Sequence, residues 1–268
     1  MTINRQIKDG AVGARKRASA VRERTYQFEP CNMNIPTLGA LNAALATGAD
    51  TTTFTTYFPG GSVLGTYTGI NTVLGPWFGN GQGLAVALTG TDNIGGGYVF
   101  SDGYNATSRH TMTVADESAI GNPMFFRIKF KITTVAGTDE CVVGFRKAET
   151  HQANYEDYDE MAAFNIDAGN VFVETILNGA ATTQVDTGIN WLDGEEHEIK
   201  LIVGATLGQG GGYVQFFYDG DQIGVNPFTF DDAEVIVPFF QVIQAAGLTE
   251  VYWTEFEIGE VKNVERAI

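Results

Sequence analysis

Residues 124–134 read MFFRIKFKITT, and this stretch limits the fold more than any other. Phe126, Ile128, Phe130 and Ile132 fall on one face of an extended chain, with Arg127, Lys129 and Lys131 on the other. A helix would scatter those four apolar side chains around its circumference, whereas a strand stacks them on one side. A strand with one apolar face needs a second layer to cover it, so a two-sheet sandwich or jelly roll is expected. HEIKLIV (197–203) repeats the pattern with Ile199, Leu201 and Val203 facing inward. GGYVQFFYDGDQIG (211–224), VIVPFFQVI (235–243) and TEVYWTEFEIGEVKNV (249–264) add further apolar runs. Upstream, TTTFTTYF, LAVAL (84–88) and RHTMTV are punctuated by PGGS and TGTDNIGGG. Nearly everything after Thr51 therefore reads as strand and turn, roughly a dozen short strands in all.

Within FFYDGDQIG (216–224) three aromatic residues run straight into Asp-Gly-Asp. Aromatic residues favour strands and an Asp-Gly pair tolerates positive φ, so the segment predicts a tight β-hairpin.

The composition agrees with an ordered β domain. Hydrophobic residues make up 44% of the 268 and charged residues 18%, with 33 glycines to serve the turns. No apolar run approaches the ~18 residues of a membrane helix. The opening MTINRQIKDG lacks the apolar core of a secretory signal, so a soluble protein not exported by that route is expected. Cys31 and Cys141 are the two cysteines. Whether they pair is open; two small apolar residues is the favoured reading.

Charge divides the chain unevenly. Residues 1–25 carry seven basic residues (Arg5, Lys8, Arg15, Lys16, Arg17, Arg22, Arg24) against Asp9 and Glu23, a net of +5. The remainder holds nine basic and 30 acidic residues, a net of −21. The first 25 residues have few large apolar side chains and cannot bury enough surface alone to offset their ordering entropy. They read as an extended basic arm that orders on a partner. Residues 26–50 form a linker with one short helix at TLGALNAALAT (37–47), capped by Thr37 and ended by Gly48. Residues 51–268 form the β-sandwich domain.

Three pieces, WLDGEEHEIKLIVG (191–204), GGYVQFFYDGDQIG (211–224) and EVYWTEFEIGEVKNV (250–264), stand in that order. The succession resembles the concanavalin A-like lectin and glucanase superfamily, especially its laminin-G-like jelly rolls. It covers the last third of the chain, with support back to Met124. The resemblance implies an all-β, antiparallel two-sheet jelly-roll sandwich. In glycoside hydrolases of the superfamily one strand carries Glu-x-Asp-x-Glu, sometimes with a bulge. Glu255-Phe-Glu257-Ile-Gly-Glu260 is similar, with a bulge expected at Gly259, but its central acid is Glu, and a strand at the chain's end suits an edge or back strand. A plain polar face is the favoured reading, with no catalytic residue assigned.

Other candidates are weaker. Glu156, Asp157, Asp159 and Glu160 form an acidic run that reads as a solvated loop rather than a calcium site, lacking the spacing of a calcium-binding loop. His110, His151 and His197 have no metal-ligand spacing, and no cofactor motif appears. Trp77, Tyr98, Tyr104, Trp191 and Trp253 are the aromatics that a lectin would stack on sugar.

A basic arm, a lectin-like body and no catalytic set resemble, by type, bacteriophage proteins that decorate or cement capsids. That resemblance implies a non-enzymatic virion structural protein on the capsid surface, made in the host cytoplasm. Its arm residues would dock on the major capsid protein or another shell protein, and it would self-associate, often as a trimer in such proteins. Nucleic acid, membrane, cofactors and metals are not expected. A glycan-binding, lectin-like adhesion module is the alternative, and a β-glycanase using Glu255 and Glu260 is the third choice.

Overall fold

The structure, a computed structural model, describes residues 92–101, 104, 106, 108, 110–115, 123–204, 211–225, 227–247 and 249–259 in full. It adds the backbone of strands at 21–27, 53–57, 63–70, 77–79, 83–87 and 260–261. The predicted helix at 37–47, Cys31, and arm residues Arg5, Lys8, Arg15, Lys16 and Arg17 lie outside the described residues.

The strands are β1 (Val21–Gln27), β2 (Thr53–Tyr57), β3 (Val63–Ile70), β4 (Trp77–Gly79), β5 (Gly83–Ala87) and β6 (Ile94–Val99). They continue as β7 (Met112–Thr113), β8 (Met124–Ile132), β9 (Thr138–Lys147), β10 (Met161–Asp167), β11 (Asn170–Ile176) and β12 (Thr183–Asn190). The last are β13 (Glu196–Val203), β14 (Val214–Tyr218), β15 (Asp221–Gln222), β16 (Val235–Gln244) and β17 (Glu250–Val261). One sheet runs β15-β14-β13-β8-β17-β5-β4, with β1 also on β17. The other runs β12-β11-β10-β9-β16-β6-β3-β2, with β7 on β16. The arrangement is the expected antiparallel two-sheet sandwich.

The inner faces hold the core as the alternation requires. Phe126, Ile128, Phe130, Ile132, Ile199, Leu201 and Val203 are all fully buried. Rings from both sheets interlock there: Tyr98 meets Trp253 at 4.9 Å, and Phe130 meets Trp191 at 4.6 Å and Phe240 at 5.3 Å between centroids. Each such ring contributes about 2–3 kcal/mol by leaving water. Cys141 also faces this core, where burial pushes its free thiol up from its ordinary value.

Two expectations need correction. The sheet takes in Val21–Gln27, which the charge pattern assigned to the arm and the linker. Arg22 and Arg24 there pair in register with Glu260 and Ile258. And the final strand is no edge: β17 lies against β8 on one side, with β5 beside Glu250–Trp253 and β1 beside Glu255–Val261 on the other. Its bulge falls between Trp253 and Glu255 rather than at Gly259, so Glu260 stays in register opposite Met124.

Candidate functional site

The Asp-Gly hairpin forms as its residues dictate. Asp219 (φ 47) and Gly220 (φ 88) both take positive φ in the two-residue turn between Tyr218 and Asp221, the pattern a type I′ turn needs. Asp219 then reaches back across the sheet: its Oδ1 accepts from the Glu198 amide at 2.8 Å and its Oδ2 lies 2.7 Å from His197 Nδ1. Glu195 Oε2 stands 3.0 Å from the other ring nitrogen, and the ring packs edge-on to Trp191 at 4.6 Å. The turn is a structural clamp on the entry to β13.

Of the candidate acids on β17, the two whose side chains are described, Glu255 and Glu257, are both tied to Arg127. Glu255 takes two hydrogen bonds from Arg127, at 2.9 and 3.4 Å. Arg127 also pairs with Glu198 at 2.7 Å and Glu257 at 3.3 Å. These hydrogen bonds hold the Glu255 carboxyl below its ordinary range, which suits a fixed anion and not a proton donor. The side chain of Glu260 lies outside the described residues.

The acidic run 156–160 disperses. Glu156 and Asp157 are exposed on a single 3₁₀ turn, Asp159 pairs with Lys147 at 2.6 Å, and Glu160 accepts from the Asp231 amide at 3.2 Å. No three acid, histidine or cysteine side chains among the described residues converge as metal ligands. The sugar-stacking candidates are mostly taken by packing: Tyr98, Trp191 and Trp253 are core residues, and the side chain of Trp77 is not described. The histidines are apart; His110 Nδ1 lies 2.8 Å from the Phe100 carbonyl, on a different loop from either of the others.

The outer face of the nine-stranded sheet is the unexpected feature. Val142, Met161, Ala163, Ile176, Val237 and Phe239 point away from the main core, yet are buried in a second cluster with Tyr155 and Tyr158. Segment 148–160 roofs this face. His151 settles over Gly97, where a Cβ would come within 2.5 Å of its ring, so any other residue there would have to push the ring aside. Gln241 on β16 donates to the Ala153 carbonyl at 3.0 Å and accepts from Tyr158 at 3.4 Å, tying roof to sheet.

Polar groups continue along the same face. Asn165 Oδ1 accepts from the Cys141 amide at 3.2 Å, while its Nδ2 donates to Tyr155 Oη at 3.3 Å and Glu174 Oε1 at 3.1 Å. Gln184 also donates to Glu174 Oε1, at 2.6 Å. Glu174 is 1% exposed and its Oε2 has no partner; Glu140 Oε2 on β9 is likewise buried and unpartnered. Burial first, and then the nearby charges of Glu174, Glu156, Asp139 and Asp167, push Glu140 up to about 7. Phe172, half-buried, stands beside Asn165 in register.

Neither acid was singled out by its sequence. A signal exists in DECVVGF, where the acids at 139 and 140 run straight into a stretch that is apolar on both alternating faces. Such a strand is covered on both sides, so its acid is held out of water.

No protein-family model matches the chain, and no curated protein matches it in sequence. Among solved structures, the Emp47p carbohydrate recognition domain aligns over 91% of this chain and 99% of its own, with TM-score 0.52 and 9% identity. The exoplasmic/lumenal domain of VIP36, in a Ca²⁺-bound form, aligns over 79% and 89%, with TM-score 0.50 and 7% identity. A protein of unknown function from Shewanella oneidensis MR-1 aligns over 93% and 90%, with TM-score 0.47 and 13% identity. At these identities the likeness is one of fold: this chain has the concanavalin A-like, lectin-type jelly roll.

Proposed function

We propose that this protein is a non-enzymatic carbohydrate-binding module that takes a neutral saccharide on the outer face of its nine-stranded sheet. The observation that carries the reading is the pair of buried carboxyl oxygens, Glu140 Oε2 and Glu174 Oε2, left without hydrogen-bond partners. A buried acceptor without a donor is costly, and saccharide hydroxyls are donors of the right kind. The strongest charges acting on Glu140 are all acidic, so the surroundings favour a ligand that brings donors rather than another anion. Asn165 and Gln184 orient Glu174, and Phe172 offers a ring beside them for the apolar face of a sugar. The fold likeness to a protein named as a carbohydrate recognition domain supports the same reading.

The capsid-decoration reading rests on the split between +5 and −21, and the side chains of its seven basic residues lie outside the described part. The glycan reading is preferred because the fold likeness to a carbohydrate recognition domain supports it.

The test is saturable binding to an array of neutral saccharides, repeated with Glu140→Gln and Glu174→Gln. Binding lost in both variants, with the fold intact by circular dichroism, is the expected result. No binding by the native protein to any neutral saccharide at millimolar concentration sinks the reading.

A further inference from the structure

Arg146 lies on the same outer face, on β9 between Met161 and Val237. It has no exposed surface at all. Its Nη1 donates to the carbonyls of Lys147 at 2.9 Å and Glu149 at 3.0 Å, which fixes the plane of the guanidinium. Three rings enclose it: Tyr158 at 4.2 Å, Tyr104 at 5.5 Å and Phe239 at 5.8 Å from Cζ to centroid. Nε and Nη2, the edge that matches a carboxylate with two parallel hydrogen bonds, have no partner.

The vacancy of that edge stands out in a chain with 32 acids against 16 basic residues. Four acids each have at least one carboxyl oxygen engaged elsewhere. Glu149 Oε1 accepts from the Asp159 amide at 2.8 Å, Asp159 and Glu234 share Lys147, and Glu160 accepts from the Asp231 amide. On the same side of the roof, His151 Nε2 is also buried and unpartnered. Burial and the charge of Arg146 push His151 down to about 4, so its ring is neutral and can donate without adding charge.

We propose that the Nε–Nη2 edge of Arg146 binds a carboxylate group, brought either by an acidic saccharide or by a simple organic acid. Tyr158 and Phe239 are 1% exposed while Tyr104 is half-buried, so the ligand enters by displacing Tyr104. The site is independent of the neutral-saccharide reading: Glu140 and Arg146 are separated by about 20 Å along the same strand.

The experiment is a nuclear magnetic resonance titration of the native protein. It follows the Arg146 Nε–Hε signal, assigned through bonds to its own backbone, at constant ionic strength. The probes are sodium acetate, sodium glucuronate and uncharged methyl glucoside. A saturable shift with glucuronate and not acetate supports the site with an acidic saccharide as its ligand, and an equal response to acetate supports it with a simple organic acid. No shift from either carboxylate at tens of millimolar, or an equal shift from methyl glucoside, overturns the proposal and leaves the neutral-saccharide test untouched. Arg146→Lys, which keeps the charge and loses the fork, should bind about tenfold more weakly. Tyr104→Ala should speed association; should Arg146→Lys fail to fold, the native titration and Tyr104→Ala decide the matter.

Discussion

Asp219 Oδ2 and His197 Nδ1 stand 2.7 Å apart, joining the tip of the β14–β15 hairpin to the start of β13. The same carboxyl accepts from the backbone amide of Glu198, so one side chain satisfies a donor on each of two successive residues. It does so from a residue with φ 47, a backbone region that Asp and Asn visit more readily than other side chains.

Asp219→Ala should therefore destabilise the domain by about 1–2 kcal/mol, through two lost hydrogen bonds and a less tolerated backbone. Asp219→Asn, which keeps an acceptor and the same φ tolerance, should lose less than half as much. Urea unfolding of the three proteins checks this; equal losses for Ala and Asn would contradict it.

Phe126 sits in the middle of the core, with no exposed surface and its ring 4.8 Å from that of Phe100. Phe126→Ala should cost about 3–5 kcal/mol, because the sheets on either side cannot collapse into the space left. Thermal or urea unfolding reads the loss directly.

Arg127 holds Glu198, Glu255 and Glu257 together, with side chains about one-fifth exposed. A double-mutant cycle of Arg127→Ala and Glu255→Ala should give a coupling near 1 kcal/mol, larger than for a fully exposed pair and weaker in high salt. Glu255→Gln should leave saccharide binding unchanged, since this network lies on the opposite sheet from the proposed site. A loss of binding in that variant would move the site to β17.

Glu140 is raised to about 7 in the folded protein by burial and then by acidic neighbours. The folded state therefore holds a proton that the unfolded chain releases near pH 4.5. The associated stability is present in full below about pH 4.5 and is lost as pH rises through about 7. Allowing for solvent around the half-buried carboxyl, the loss is about 1–2 kcal/mol. Glu140→Gln should flatten this part of the curve of stability against pH and make the protein more stable than the native form at pH 8. Denaturant midpoints from pH 4 to 8 decide it; identical curves would show that Glu140 does not titrate in this range.

The strands and their inward faces were legible in the sequence. Alternation at 126–132 and 199–203 reports burial directly, because the pleat sends successive side chains to opposite faces. The Asp-Gly turn was legible for a similar reason, since positive φ is a property of one or two residues and needs no distant partner. What each polar residue does was settled elsewhere. Glu255 and Glu257 look like a catalytic pattern until β8 brings Arg127 beside them, from 128 residues away for Glu255. Arg146, Glu140 and Glu174 sit in unremarkable strands until segment 148–160 folds over the sheet and removes their water. Burial and pairing depend on chain segments far apart in sequence, so only the tertiary structure could decide which charges are tied down and which are left with an open hydrogen-bonding edge.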